Sequence, residues 1–174
     1  MKNSVMLVIA TAALLVPVAA LADNTTPAPA TVASQLCSQL RTQMGATFAT
    51  TYGTNATKSN AFGQCVAKQS KPAATTIQNA LSSCKAEQAA DPAAFAKKYG
   101  TNGKSGSTGA AQNALGKCVS AAVKAANAAR AKALTTAAAT CKAAFKASKT
   151  DFAAKWGTKP GAFGRCVAAT AKTK

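Results

Sequence analysis

The chain has 174 residues, with 21 lysines and arginines against four acids, no histidine, and a formal net charge of +17. With no histidine, every cysteine assigned to a bridge and only four scattered acids, the usual acid, base and nucleophile set of a hydrolase or transferase is missing. A balance this basic favours solubility and anionic partners and carries no information about fold.

Lys2 precedes an apolar run from Val5 to Val16, followed by Ala20, Leu21 and Ala22. This pattern predicts a secretory signal peptide over residues 1–22, cut after Ala22. The apolar run is shorter than the roughly 20 residues that a membrane span requires. After cleavage, twenty basic residues face four acids, a net +16, and sixteen of the twenty lie from Cys84 onward. Export to the cell envelope or the medium makes the even cysteine count meaningful, because disulfides persist there and stabilise units too small to bury a large core. Residues 23–32, polar and punctuated by Pro27 and Pro29, read as a flexible linker.

Beyond the linker one unit is written three times. It runs C-x10-F-x3-[YW]-G-T, then a variable loop, then [NG]-A-[FL]-G-x-C-V. The copies occupy residues 33–72, 77–124 and 134–174. Their aromatic and apolar motif positions are Phe48, Tyr52 and Phe62, then Phe95, Tyr99 and Leu115, then Phe152, Trp156 and Phe163. All six cysteines and eight of the nine aromatic residues fall on motif positions, so only Phe145 stands outside the pattern.

In the first copy the spacing of Leu36, Cys37 and Leu40 predicts a helix from Ala33 to Met44. Gly45 loosens it. Phe48 and Tyr52, four apart, share one face of a short second helix, and Gly53 suits a left-handed residue that ends it. Asn60 then reads as the N-cap of a returning helix, and Pro72 as an interruption between the first and second copies. In the second copy Asp91 and Pro92 open the short helix. The loop of residues 102–112, rich in glycine and serine, reads as mobile, and Asn113 as the next N-cap. From Ala114 to Lys146 no proline breaks a stripe of Leu115, Val119, Val123, Leu134, Ala138, Cys141 and Phe145, which predicts one long amphipathic helix shared by the second and third copies. Ser148 with Asp151 resembles a capping box at the third short helix. The glycine two residues before each second cysteine, Gly63, Gly116 and Gly164, predicts close backbone approach, since a helical glycine costs about 1 kcal/mol relative to alanine.

The fold class that follows is all-α: three disulfide-stapled helical repeats, each a long helix, a short aromatic helix and a returning helix, forming a small array or bundle. Cys118 and Cys141 lie 23 residues apart on the predicted long helix, about 34 Å at 1.5 Å per residue, which excludes a bridge between them. Pairing inside each copy satisfies geometry, giving Cys37 with Cys65, Cys84 with Cys118, and Cys141 with Cys166. No C-x-x-C, metal-ligand cluster or P-loop is present, so no cofactor or small-molecule substrate is expected.

One functional surface remains, a basic face of Lys97, Lys98, Lys117, Lys124, Arg130, Lys132, Lys142 and Lys146 that could track a polyanion by point charges. It predicts a non-enzymatic exported protein that binds an anionic polymer or cell surface without sequence specificity. The alternatives are a structural or protein-interaction module whose charge only keeps it in solution, and a membrane-active cationic protein.

Overall fold

The computed structural model describes residues 26–100 and 108–172, with side chains in the second stretch from residue 113. The signal peptide, the first residues of the linker and most of the glycine- and serine-rich loop lie outside the described residues. The helices in chain order are α1 (Pro29–Met44), α2 (Ala46–Tyr52), α3 (Ala61–Ala90), α4 (Pro92–Tyr99), α5 (Thr108–Ala147), α6 (Lys149–Trp156) and α7 (Ala162–Lys172). The described residues contain no strand.

Three disulfides lace the long elements in series. Cys37–Cys65 joins α1 to α3, Cys84–Cys118 joins α3 to α5, and Cys141–Cys166 joins α5 to α7, with Cα atoms 6.0, 6.0 and 6.1 Å apart. Both α3 and α5 carry two half-cystines, one near each end of the stretch that packs, so each is fixed to a different neighbour at two heights. Loops of 25 to 34 residues correspond to about 3–4 kcal/mol of stabilisation per bridge in the chain-entropy treatment.

The core separates into two clusters. The first gathers Leu36, Leu40, Phe48 and Tyr52 from the first copy with Leu134, Phe152 and Val167 from α5, α6 and α7, around the bridges Cys37–Cys65 and Cys141–Cys166. The second gathers Val32 and Ala33 with Ile77, Phe95, Val119 and Val123 around Cys84–Cys118. The aromatic motif positions supply the centre or the margin of these clusters: Phe48, Tyr52, Phe95 and Phe152 are buried, while Phe62, Tyr99, Leu115, Trp156 and Phe163 pack partly buried against them. Elsewhere the contacts come from alanines such as Ala131, Ala137 and Ala138, and small side chains let the helices approach closely.

Several local expectations change. Helix α1 starts at Pro29, inside the stretch read as linker, because proline suits the first helical turn and Val32 and Ala33 are buried in the second cluster. The buried Asn127 amide on α5 donates to the Val32 carbonyl at 3.3 Å and holds that first turn down. Pro72 does not interrupt the chain: it lies inside α3, which runs unbroken over 30 residues. An interior proline costs about 3 kcal/mol, which the bridges at Cys65 and Cys84 and the burial of Ala73 and Ile77 beside it offset. The lines drawn between copies, residues 72–77 and 124–134, fall inside α3 and α5.

The caps divide likewise. Asp91 accepts from the Ala94 amide at 2.9 Å and Ser148 from the Asp151 amide at 3.1 Å, as the sequence predicts. Asn60 stands at the start of α3, but its side chain turns back to the loop, accepting from the Thr54 amide at 3.0 Å and donating to the Thr54 hydroxyl at 2.7 Å. Asn113 lies inside α5, which begins five residues earlier, in the stretch read as loop. Gly53 is extended, at φ −69°, rather than left-handed. Its need for glycine is steric, since a Cβ there would meet the Ala49 carbonyl at 2.7 Å.

The helical glycines also differ from one another. A Cβ on Gly164 would stand 2.5 Å from the Thr51 carbonyl oxygen, so α7 crosses the end of α2 at backbone contact, whereas Gly63 faces open space. Gly63→Ala should therefore raise stability by about 1 kcal/mol, and Gly164→Ala should lower it by about 2 kcal/mol, both read from urea unfolding midpoints. Equal effects of one sign at the two sites would contradict the crossing.

Candidate functional site

The acidic residues of the fold are placed at helix ends. Asp91 and Asp151 sit at the starts of α4 and α6. Glu87 binds Lys98 at 2.7 Å and accepts from the Tyr99 hydroxyl at 3.2 Å, tying the end of α3 to α4. Hydrogen bonding to Lys98 holds the Glu87 carboxyl below its usual range and raises the Lys98 ammonium. This is the one ion pair found among the described residues, so the other described cations show no carboxylate of those residues within salt-bridge distance.

The eight basic residues singled out in the sequence separate into three groups. Lys117, Lys124, Lys142 and Lys146 are exposed on α5, within about 40° of one another around a helix of 3.6 residues per turn. They span about 43 Å of helix axis, with Lys132 displaced by about 60°. Lys97 is exposed on α4, but Lys98 beside it is neutralised by Glu87. Arg130 points away from the stripe, toward α3, where its Nε donates to the Gln69 amide oxygen at 2.7 Å. The fold thus makes a stripe from five of the eight and withdraws Lys98 and Arg130 from it.

Two clefts collect further cations that spacing alone did not single out. A wide one, of about 980 Å³, opens between α2, α3, α5 and α7, with Lys68, Arg130, Arg165 and Lys172 around it. Arg165 is partly committed, because its guanidinium donates through Nε and an Nη to the Trp156 carbonyl at the end of α6, a group the helix leaves without a partner. A smaller cleft, of about 490 Å³, lies where α5 meets α6 and the loop before α7. Phe145, Phe152 and Phe163 line it, and Lys58, Lys142, Lys149 and Lys159 contribute to its wall. Phe145 was read as the end of the buried stripe of α5. It is instead 42% exposed, the one large hydrophobic residue so placed among the described residues. The stripe drifts around the helix, and by the last turn of α5 it has left the interface.

At the base of the wide cleft the Tyr52 hydroxyl is buried without a hydrogen-bond partner. Gln69, also buried, lies toward it without forming a hydrogen bond, and the Gln69 oxygen is taken by Arg130. Burial pushes the Tyr52 phenol up to about 12, against the lowering effect of the Arg130 charge and the Gln69 amide. The unfolded chain ionises this group first, near pH 10, so the stability it contributes is complete below that pH. It is lost as pH rises to about 12, by roughly 2–3 kcal/mol. Tyr52→Phe should match or exceed the parent stability at pH 7, because no hydrogen bond is removed. It should also unfold with a flatter dependence on pH between about 10 and 12. Denaturant titrations at both pH values check this, and parallel pH profiles would contradict the burial.

Three bridges close all cysteines among the described residues, and no group of three histidine, cysteine or acidic side chains is placed to hold a metal ion there. No described helix is long and apolar enough to cross a membrane. In comparison with known proteins, the chain matches no family model, no curated protein and no solved structure.

Proposed function

We propose that the protein is a non-enzymatic, cationic binding module, exported to the cell envelope or the medium, that attaches to an anionic polymer or surface through the lysine stripe of α5. The observation that carries this reading is the absence of compensation along the stripe. Lys117, Lys124, Lys132, Lys142 and Lys146 are exposed on one rigid helix, and the single ion pair of the described residues lies elsewhere. Like charges aligned on one helix repel one another and lower stability slightly, and a polyanion removes that repulsion. Lysine ammonium groups act as point charges, and the stripe presents no arginine fork or stacked aromatic residue with which to read a base or a sugar. The expected binding is therefore sensitive to salt and indifferent to sequence. Export is supported by the apolar run with its small-residue site at residues 20–22 and by the three bridges.

A random-sequence DNA duplex serves as the polyanion probe. With four to five contacts the affinity should fall on the order of 100-fold between 50 and 200 mM salt. Replacing Lys117, Lys124, Lys142 and Lys146 by glutamine should reduce the slope of log K against log salt by about 3–4, with the fold intact because all four side chains are exposed. Heparin should compete. A variant that binds with the parent slope would remove the stripe from the reading, and duplex binding insensitive to salt would remove the reading itself.

A further inference from the structure

Phe145 is the one aromatic residue outside the triple motif, and its counterparts explain why it stands out. Four residues after the first cysteine the other two copies carry Arg41 and Gln88, and Phe145 holds the same register after Cys141. Arg41 is exposed and Gln88 is partly exposed, so the register faces outward in each copy and only the third places a benzyl group there. Phe145 meets the edge of Phe152 at 5.3 Å between centroids, and Phe152 stacks on Phe163 at 6.3 Å. The three rings make a continuous apolar wall from the surface to the core.

The rest of the cleft has the opposite character. Lys58 from the loop after α2, Lys142 from α5, Lys149 from α6 and Lys159 from the loop before α7 converge on it, and no carboxylate lines it. They come from four separate segments, so their meeting is a property of the fold and not of one helix face. Lys149 already lies over the Phe145 ring, 5.9 Å from its centroid. The neutral polar lining comes from threonines, with no Asn, Gln or acidic side chain to recognise the edge of a base or a sugar hydroxyl. The volume, about 490 Å³, is within the range of about 300–1,000 Å³ usual for small-ligand sites.

We infer that this cleft binds a monomeric amphipathic anion, a single acyl chain with a carboxylate or phosphate head. The chain lies along Phe145, Phe152 and Phe163, and the head is held by the surrounding ammonium groups. The ring wall takes up apolar surface that would otherwise stay in water, and the lysines supply charge without demanding a particular head geometry. The site is separate from the polymer-binding stripe except at Lys142, which borders both, so either assignment can fail without the other.

Dodecanoate below its micellar concentration is the probe, titrated calorimetrically into the oxidised full chain. The expected result is one site per chain, with affinity rising roughly fourfold per added methylene until the cleft is filled. Dodecanol, which has the same chain without the charge, should bind at least about tenfold more weakly. Phe145→Ser, which removes the ring without adding charge beside the stripe, should weaken dodecanoate by at least about tenfold while leaving duplex DNA affinity within about twofold. Because Phe145 is partly packed on Phe152, a rim variant, Lys58→Gln with Lys149→Gln, provides an independent arm. It should lose at least about fivefold and show a weaker salt dependence. Equal affinity of dodecanoate and dodecanol, or binding only to phosphatidylglycerol vesicles and not to the monomer, would overturn the proposal. So would a Phe145→Ser loss of the same size for DNA as for dodecanoate, which would make the wall a stacking surface for the polymer.

Discussion

The structure depends on the placement of two half-cystines on each of its two longest helices. Helix α3 is joined to α1 through Cys65 and to α5 through Cys84, and α5 is joined to α3 through Cys118 and to α7 through Cys141. Nineteen residues separate the two sites on α3 and 23 those on α5, about 28 and 34 Å along the axis. One bridge to each neighbour stops α3 and α5 from sliding along it, and the side chains packed around that bridge set the crossing angle. This matters for a chain in which alanine is the most frequent buried residue, because small side chains contribute little apolar area and define register weakly. The aromatic residues are then needed only beside the bridges, where they fill the space that the short helices α2, α4 and α6 enclose.

The same constraint explains why three sequence copies produce two core clusters. Each copy closes its own bridge, yet α3 and α5 each pass through two copies, so neighbouring copies cannot separate. The first and third copies meet across the middle, with Leu36, Leu40 and Tyr52 in the same cluster as Leu134, Phe152 and Val167. The second copy packs against the start of α1. Buried polar groups mark this seam: Asn127 reaches the Val32 carbonyl and Arg130 reaches Gln69, each across more than 60 residues of sequence. The described acids serve helix ends and the α3–α4 junction, and among the described residues none pairs with the lysines of α5 or of the small cleft.

Much of the fold was legible because scarce residues in an alanine-rich chain carry most of the information. Cysteine spacing together with the length of α5 excluded a Cys118–Cys141 bridge, and the tilted pairs Phe48–Tyr52 and Phe95–Tyr99 lie at the four-residue spacing that placed them on short helices. What sequence rules missed was decided by tertiary contact. Pro72 is helical because both flanks of α3 are anchored, Pro29 because Val32 behind it is buried, and Gly53 is required by the Ala49 carbonyl and not by a left-handed backbone. The candidate surface was legible only in part. Helical periodicity found the stripe of Lys117, Lys124, Lys142 and Lys146, but it could not show that Lys98 meets Glu87, that Arg130 turns to Gln69, or that Lys58 and Lys159 come to the same cleft as Lys142. A signal for that cleft did exist in Phe145, the aromatic residue without a counterpart in the other copies.

The serial lacing of α1, α3, α5 and α7 is tested most directly by digesting the unreduced protein and identifying the linked peptides by mass spectrometry. The account predicts three linked species, joining Cys37 to Cys65, Cys84 to Cys118 and Cys141 to Cys166, with no free thiol. A peptide linking Cys65 to Cys84 or Cys118 to Cys141 would contradict it, because either bridge would require one of the two long helices to break.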